Sequence, residues 1–377
     1  MKFPITLLAA ALCAAAPLAS RADISWIIKP AASGSGRMQL FTSRADKPRP
    51  RTILIDAPKN EKQFKSMRFR DSSNGFTGAG INTNGVAVAF SGAGPTTDKA
   101  LKLKKGQRPY NATYAIDQIL RHGKTAKQSV DMLRKAAREG LFPYSMIFLV
   151  VDPGQALIFE VSPRHQATYT LGLSYAVYSN VWKLPGMEDA SGRTPKNLSA
   201  GAQREWVAKT GIMRARQGDR KVSVAEAIAV SRLNAADMKR EDITSAPSSK
   251  NSIDAYLFEI DPKHPAVLSC VYAALGPQRH TVYLPIPLGA MDELPDGLAA
   301  GEYAAIGDGI AKKSAPDTPV SGEIIEFERG LHQEFNDIRF KAAQLIDENK
   351  TDEAKSLLVD TLRRQYQEVL KFMQEHK

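Results

Sequence analysis

Apolar runs joined by tight turns constrain the fold of this chain more than any other feature of its sequence. The runs at 146–151 and 156–161 are separated by Asp152-Pro153-Gly154, and the run at 76–90 contains Asn84-Gly85. Both are turn sequences, and Asn-Gly tolerates the positive φ of a hairpin. Hairpins pair strands antiparallel, and near-continuous apolar runs indicate strands buried on both faces. The sequence therefore predicts α+β architecture with stacked antiparallel sheets and helices outside them.

In the other segments, the spacing of the apolar residues follows either the two-residue period of a strand or the 3.6-residue period of a helix. Residues 24–44 predict two strands around a Ser33–Gly36 turn, and further strands are predicted at 168–177, 254–260, 266–274 and, as an edge strand with prolines, 282–288. Helices are predicted at 112–120, 125–140, 196–216 and 225–233. Ser223 and Glu226 have the spacing of a capping box before the last of these.

The C-terminal region differs from the rest of the chain. Residues 291–320 are rich in Gly, Pro and Ala and predict a loop. Residues 321–377 are polar with helical periodicity, and Leu358, Leu362, Tyr366 and Leu370 fall at four-residue steps. They predict an α-hairpin that packs against the main body, residues 23–290, or against a partner, in which case it mediates a homodimer.

The N-terminus has the pattern of a secretory signal peptide. Lys2 precedes an apolar run at 7–18, and a small-residue cleavage motif follows at 20–22. The run is too short to span a bilayer. The sequence therefore predicts that residues 1–22 are removed and that the mature chain begins at Asp23. We therefore expect a bacterial protein that is exported to the periplasm or beyond, without stable membrane insertion.

The charge and the cysteine count exclude several classes of protein. Lys and Arg number 51 against 40 Asp and Glu, with basic runs at 44–51 and 99–108. We interpret these runs as solvated loops, with an anionic partner as the alternative; no nucleic-acid motif accompanies them, so no nucleic acid is expected. The two cysteines, Cys13 and Cys270, cannot form a disulfide framework or a four-cysteine zinc site. Cys270 is expected to be buried in a strand.

Common catalytic and cofactor motifs are absent. The chain has no Gly-x-Ser-x-Gly elbow, no His-Glu-x-x-His and no phosphate-binding loop. Its six histidines are scattered without pairs at helical spacing. We therefore expect neither a metal nor a cofactor.

A series of short motifs does resemble a known superfamily. In chain order they are SWIIKP (25–30), GRMQL (36–40), GINTNGVAV (80–88), FLVVD (148–152), ALIFE (156–160), AVYSN (176–180), FEID (258–261), AALG (273–276) and YLP (283–285). Their order over residues 23–290 resembles secreted N-terminal-nucleophile (Ntn) hydrolases. The nearest groups are the penicillin acyltransferase-like, choloylglycine hydrolase-like and dipeptidase-like enzymes.

This resemblance implies a fold and a chemistry. The family fold is a four-layer αββα sandwich, here followed by the C-terminal α-hairpin. Cleavage exposes an N-terminal Cys whose α-amine acts as the base for its own thiol. An Arg and an Asp on the second strand support it, and Asn side chains with backbone N–H groups stabilise the oxyanion. The family hydrolyses or transfers linear amide bonds.

The residues at the family's nucleophile and support positions depart from this pattern. Asp23 takes the place of the N-terminal Cys, and a carboxylate is a much poorer acyl-transfer nucleophile than a thiolate. Arg44 matches the supporting Arg, but Ala45 stands where the Asp is expected, unless Asp46 replaces it. Arg44 as a member of a basic loop is an equally open interpretation.

The oxyanion positions are partly kept. The first Asn position falls at Ser91 or Gly92, and the second is matched by Asn180. A strand-end turn is the alternative interpretation of Asn180.

Two hypotheses about function follow. The first is a catalytically degenerate member that keeps a cleft for a small amide or peptide ligand. The second is an active amidohydrolase or acyltransferase on N-acyl amino acids or small peptides that uses another N-terminal residue, most plausibly Ser25 after further trimming, because Ser also serves this chemistry.

Overall fold

The computed structural model describes residues 23–46, 49–94, 96–99, 101–172, 174–188, 190, 200–314 and 318–376. The predicted signal peptide at 1–22, with Cys13, lies outside the described residues, as does the start of the helix predicted at 196–216. No helix among the described residues combines the length and the apolar character needed to cross a membrane.

The described strands form two antiparallel sheets. In chain order they are β1 (Ile24–Ile28), β2 (Met38–Ala45), β3 (Arg51–Asp56), β4 (Ser66–Asp71), β5 (Thr77–Asn82), β6 (Ala87–Gly92), β7 (Met146–Val151), β8 (Ala156–Val161), β9 (Gln166–Thr170), β10 (Tyr175–Tyr178), β11 (Ser252–Ile260), β12 (Cys270–Ala274) and β13 (Leu284–Pro287). The six-stranded sheet has the order β10-β1-β2-β11-β12-β13. The seven-stranded sheet runs from β3 to β9 in chain order.

Helices flank both sheets. The described helices are α1 (Ala112–His122), α2 (Ala126–Arg138), α3 (Ala200–Ala215), α4 (Val224–Ser231), α5 (Pro265–Leu268), α6 (Asp296–Ala300), α7 (Glu302–Lys313), α8 (Gly322–Asp347) and α9 (Thr351–Glu375). The predicted capping box of Ser223 and Glu226 is present at the start of α4. It satisfies backbone N–H groups that a helix start otherwise leaves unpaired.

Alternation along the strands divides the core into layers. Between the sheets lies one apolar cluster, to which β2 contributes Met38 and Leu40 and β7 contributes Ile147 and Leu149. A second cluster packs α1 and α2 on the outer face of the seven-stranded sheet. A third packs α3, α4 and α8 on the outer face of the six-stranded sheet. The predicted αββα sandwich is therefore confirmed.

The hairpins that led to this prediction are present. β7 and β8 pair from Met146 with Val161 to Val151 with Ala156, so the Asp152-Pro153-Gly154 turn closes them. β5 and β6 pair on either side of Asn84-Gly85. Gly85 has φ +75°, which a side chain would disfavour.

Two strand predictions were wrong in detail. The segment 168–177 is not one strand: β9 pairs with β8 in the seven-stranded sheet, whereas β10 pairs with β1 in the six-stranded sheet. The chain crosses between sheets here, which no local pattern indicates. The strand predicted at 266–274 begins with a helical turn, α5, and only its second half forms β12.

The loop predicted at 291–320 was also wrong, because it contains α6 and α7. Their glycines suggested a loop, but Leu298, Tyr303, Ile306 and Ile310 are buried against the core. Arg51 fixes α7 from β3 by donating to Ala304 O at 3.4 Å and to Asp308 Oδ1 at 2.6 Å. Tertiary packing therefore overrides the weak local helix preference.

The two ends of the basic run at 44–51 are not solvated, since Arg44 and Arg51 are buried on strands. β3 and β4 were not predicted, and Arg51 belongs to the first of them. The run at 99–108 is mostly exposed, as expected. The solvated-loop prediction therefore failed for the two arginines whose guanidinium groups have buried carboxylate or carbonyl partners.

The predicted C-terminal α-hairpin is formed by α8 and α9. Gln365 on α9 donates to Leu331 O on α8 at 3.1 Å. Val359, Leu362 and Val369 belong to the core cluster between the sheets. The hairpin thus packs against the main body, the first of the two alternatives. A homodimer through it stays a prediction.

Gly80 on β5 allows α1 to pack closely on the sheet. A Cβ at this position would lie 2.5 Å from Leu120 Cδ1 and 2.7 Å from Met67 O. We expect Gly80→Ala to lower the free energy of unfolding by roughly 1–3 kcal/mol through overpacking. Urea unfolding of the two proteins measures the difference.

Gly92 on the next strand provides the control, because a Cβ there meets no atom of the described residues within 4 Å. Gly92→Ala should change stability by no more than about 0.5 kcal/mol. Equal unfolding midpoints for the two variants would contradict the packing argument.

Candidate functional site

The predicted site residues are all buried. Asp23 is 2% exposed, Arg44 and Asn180 are 4% exposed, and Ser25 and Ser91 are fully buried. Asp23 immediately precedes β1, Arg44 lies near the end of β2, Ser91 near the end of β6, and Asn180 just after β10. These element ends belong to both sheets.

Strand register brings the nucleophile position and the supporting arginine together. Ile24 pairs with Ser43 and Ser25 with Thr42 in the β1–β2 ladder. Continuing this antiparallel register by one residue sets Asp23 opposite Arg44. Ser25 donates its hydroxyl to Thr42 Oγ1 at 2.9 Å. The two residue types that the resemblance placed together therefore do lie on neighbouring strands.

Arg44 connects the two sheets through carboxylates. Its Nε donates to Asp254 Oδ1 of β11 at 2.8 Å, and its Nη2 donates to Asp71 Oδ1 of β4 at 3.0 Å. A second, short hydrogen bond joins Nη2 to Asp254. Burial lowers the pKa of the Arg44 guanidinium, but the charge and hydrogen bond of Asp254 outweigh it, so this pKa lies well above its ordinary value. Arg44 is therefore a fixed cation.

The carboxylate support of Arg44 does not come from its own strand. Ala45 supplies none, and the Asp46 carboxylate lies 3.8 Å from Arg49. Asp71 and Asp254 instead reach Arg44 from 27 and 210 residues away in the sequence. Sequence reasoning missed both residues, because only the strand order reveals that β11 is the neighbour of β2.

A hydrogen-bond network joins the head of β1 to the end of β6. Asn180 donates its amide to Gly92 O and accepts a hydrogen bond from Arg204 Nη2 at 2.7 Å. Arg204 Nε also donates to Ser179 Oγ at 3.2 Å, and this hydroxyl donates to Asp23 O at 2.7 Å. Asn180 is thus more than a turn residue. Arg204 on α3 was not predicted.

Ser91 faces the space between the sheets. It alternates with Ala87 and Ala89, which belong to the core cluster there. Its hydroxyl makes no hydrogen bond to any described residue. Ser91 pairs with Ile147, which pairs with Glu160, so Ser91 and Glu160 lie in one row across three strands.

Glu160 begins an ionisable cluster next to this row. Its carboxylate accepts hydrogen bonds from the N–H of Lys183 at 2.9 Å and of Leu184 at 3.1 Å, and burial raises its pKa to about 7. Lys183 Nζ lies 2.7 Å from Glu205, which also accepts from the N–H of Ser179. Burial lowers the pKa of Lys183 and raises that of Glu205. The feature of the sequence that could have pointed to this cluster is Glu160 itself, a carboxylate inside the apolar run at 156–161.

Cys270, the one cysteine among the described residues, does not lie at this site. Cys270 lies on the outer face of the six-stranded sheet, in the cluster below the helices, and is buried as predicted. Burial raises the pKa of its thiol far above the ordinary value. Buried apolar cysteines of this kind are inert. In the described ranges, no three His, Cys, Asp or Glu side chains group as metal ligands.

Neither a family model nor a curated protein matches the sequence. Among solved structures, an N-acylethanolamine-hydrolyzing acid amidase ortholog from Caenorhabditis elegans is 10% identical with a TM-score of 0.40, over 64% of this chain and 94% of that one.

Two further solved structures are similar. A variant of conjugated bile acid hydrolase from Clostridium perfringens is 8% identical with a TM-score of 0.43, over 67% of this chain and 89% of that one. Penicillin V acylase from Agrobacterium tumefaciens is 14% identical with a TM-score of 0.36, over 72% and 87%. All three TM-scores are below 0.5, so the assignment of the fold depends on the order of sheets and helices described above.

Replacing Arg44 is expected to be costly, because it leaves Asp254 and Asp71 buried without their shared cation. We expect Arg44→Met to lower the free energy of unfolding by roughly 3–5 kcal/mol. Adding Asp254→Asn should recover part of this loss, since one uncompensated charge is then removed. Urea unfolding of the single and double variants measures both effects.

Arg363 is the control, because its ion pair with Glu293 is exposed. Arg363→Met should cost no more than about 1 kcal/mol. The bridging role of Arg44 is wrong if the two substitutions cost the same.

Glu160 should make stability depend on pH. Because burial raises its pKa from 4.5 to about 7 on folding, its contribution is fully present below pH 4.5 and is lost as the pH rises through 7. The difference corresponds to roughly 3 kcal/mol. We expect Glu160→Gln, which stays neutral, to lose less stability than the wild type between pH 5 and pH 8.

Urea unfolding at both pH values measures the two slopes. Glu61→Gln, at an exposed position, serves as the control and should keep the wild-type slope. If the free energy of unfolding depends on pH equally in the wild type and in Glu160→Gln, folding does not raise the pKa of Glu160.

Proposed function

We propose that the chain is an exported protein with an Ntn-hydrolase-like sandwich that has lost amide hydrolysis and binds a small amide or peptide ligand. The observation that carries this proposal is Asp23 at the head of β1, opposite Arg44 in the continued register. This is the position where the resemblance requires an N-terminal thiol.

The chemistry of a carboxylate supports the loss of activity. An N-terminal α-amine activates a thiol or hydroxyl by taking its proton. An ionised carboxylate has no proton to give and accepts hydrogen bonds only. The α-amine of Asp23 therefore has nothing to activate on its own side chain.

The polar groups around the site support an amide ligand. Asn180 donates one proton of its amide nitrogen to Gly92 O, and that nitrogen carries a second proton that it can donate to another acceptor. The Ser91 hydroxyl is buried without a hydrogen bond among the described residues. Both groups can donate to a carbonyl oxygen, which is what an amide presents.

A second candidate function is an active amidohydrolase or acyltransferase that begins at Ser25. The observation in its favour is the direction of this side chain: Ser25 bonds Thr42 and alternates with Ile27, which faces the core between the sheets. Removal of Asp23 and Ile24 would set a free α-amine beside the Ser25 hydroxyl. It would also remove the ladder pair of Ile24 with Ser43.

Turnover and the mature N-terminus separate the two candidates. The secreted protein is incubated with N-acyl amino acids, dipeptides and penicillins, and its intact mass gives the first residue. We expect a start at Asp23 and no hydrolysis above that of an Asp23→Ala variant. A start at Ser25 with turnover that Ser25→Ala abolishes would establish the second candidate instead.

Ligand binding is measured separately, by calorimetry with the same compounds. We expect at least one N-acyl amino acid or peptide to bind, and Ser91→Ala together with Asn180→Ala to weaken it at least tenfold. Asn60→Ala, at an exposed position, is the control and should bind like the wild type. Failure of every compound to bind would contradict a retained cleft.

A further inference from the structure

A cavity of about 860 Å³ lies between α4 and α8 on the outer face of the six-stranded sheet. Its floor includes Glu259 on β11, which alternates with Leu257 on the helix-facing side. Asp254, which binds Arg44, lies five residues away on the opposite face of this strand, a separation of about 17 Å along it. The cavity is therefore separate from the site at Asp23, and its volume is typical of a small-molecule pocket.

The long walls of the cavity are mainly apolar. The larger apolar side chains that line it are Val224, Ile228, Leu233, Val320, Ile325 and Phe340. Ile325 is 45% exposed and Phe340 is 66% exposed, although both are large apolar residues on α8. Exposed apolar groups beside a cavity are typical of a surface that takes an apolar ligand.

The charged groups of the lining are neutralised within the protein. Each arginine has a carboxylate partner: Arg232 with Glu328, Arg279 with Asp237, Arg339 with Glu259, Arg37 with Asp261 and Arg329 with Glu326. Burial lowers the pKa of His332, whose Nε2 lies 2.7 Å from Tyr283 O. A charged ligand would have to be buried without a counter-ion, which is costly. The lining therefore favours an uncharged ligand.

The two ends of the cavity differ in hydrogen bonding. Arg232 donates to Gln278 O, Thr281 O and Glu328, so that end is already satisfied. At the other end, the Glu259 carboxylate interacts with Arg339 and Ser35, but its buried Oε1 accepts no hydrogen bond from the described part of the chain. Arg37 there donates from Nε to Asp261 at 3.0 Å, and its two terminal nitrogens carry further protons that can be donated. This end offers both an acceptor and donors.

We propose that this cavity binds an uncharged amphiphile with an extended apolar chain and a head group that both donates and accepts hydrogen bonds, such as a primary amide. The head lies at Glu259 and Arg37, and the chain runs along Ile228 toward Val320. Glu328 and Arg339 are 11 residues apart on α8, so the space between the charged ends is about 16 Å long. This proposal does not depend on the chemistry at Asp23.

A matched ligand series tests the class. Decanamide, decanoate and decylamine share one chain length but have neutral, negative and positive heads at pH 7. Their affinities for the full mature protein are measured by calorimetry. We expect decanamide to bind at least tenfold more tightly than either charged compound. Equal or tighter binding of decanoate or decylamine, or no binding of decanamide, would overturn the proposal.

Two variants locate the ligand. Ile228→Trp fills the cavity and should weaken decanamide at least tenfold, whereas Met213→Trp, at an exposed position on α3, should leave the affinity unchanged. Arg37→Met should reduce the preference for the amide head. Thermal unfolding checks that each variant is folded. If decanamide binds Ile228→Trp as tightly as the wild type, the assignment of the cavity is wrong. The proposal is also wrong if the protein binds no amphiphile and light scattering shows a dimer that Phe340→Glu dissociates, because the apolar surface is then a protein interface.

Discussion

The ion pairs of Arg44 with Asp254 and Asp71 join the two sheets at the end where β1 begins. A buried guanidinium needs such partners, since an isolated buried charge costs several kcal/mol. Asp254 comes from the neighbouring strand and Asp71 from the opposite sheet, so both sheets must be in register for the charges to meet. The position of Asp23, one residue before β1, follows from that register.

Local turn chemistry was sufficient to predict the β5–β6 and β7–β8 hairpins of the seven-stranded sheet, because a short turn joins the two strands of each. Strand patterns did not predict the crossing between β9 and β10, which depends on the partner of each strand. Glycine content suggested a loop where α6 and α7 form, because the packing of Leu298 and Tyr303 decides their conformation. Where burial is extensive, tertiary packing overrides the helix preference of the local sequence.

The candidate site was predictable in part. Arg44 and Asn180 were identified from the order of short motifs, and both are buried near the head of β1. Asp254, Arg204 and Glu160 were not identified, since each reaches the site through contacts between distant segments. A carboxylate in an apolar run such as 156–161 marks a buried charge. It does not indicate which groups that charge meets until the neighbouring elements are known.

The order of the six-stranded sheet has a consequence for how this site forms. β1 pairs with β10 about 150 residues later, and β2 pairs with β11 after more than 200. Closing such long loops costs conformational entropy before the contacts reward it, which slows folding. The seven-stranded sheet pairs its strands in chain order, and its longest connection, between β6 and β7, spans residues 93–145. The head of β1 is therefore completed only once β11, which ends at Ile260, is in place, so no short fragment of this protein can contain the site.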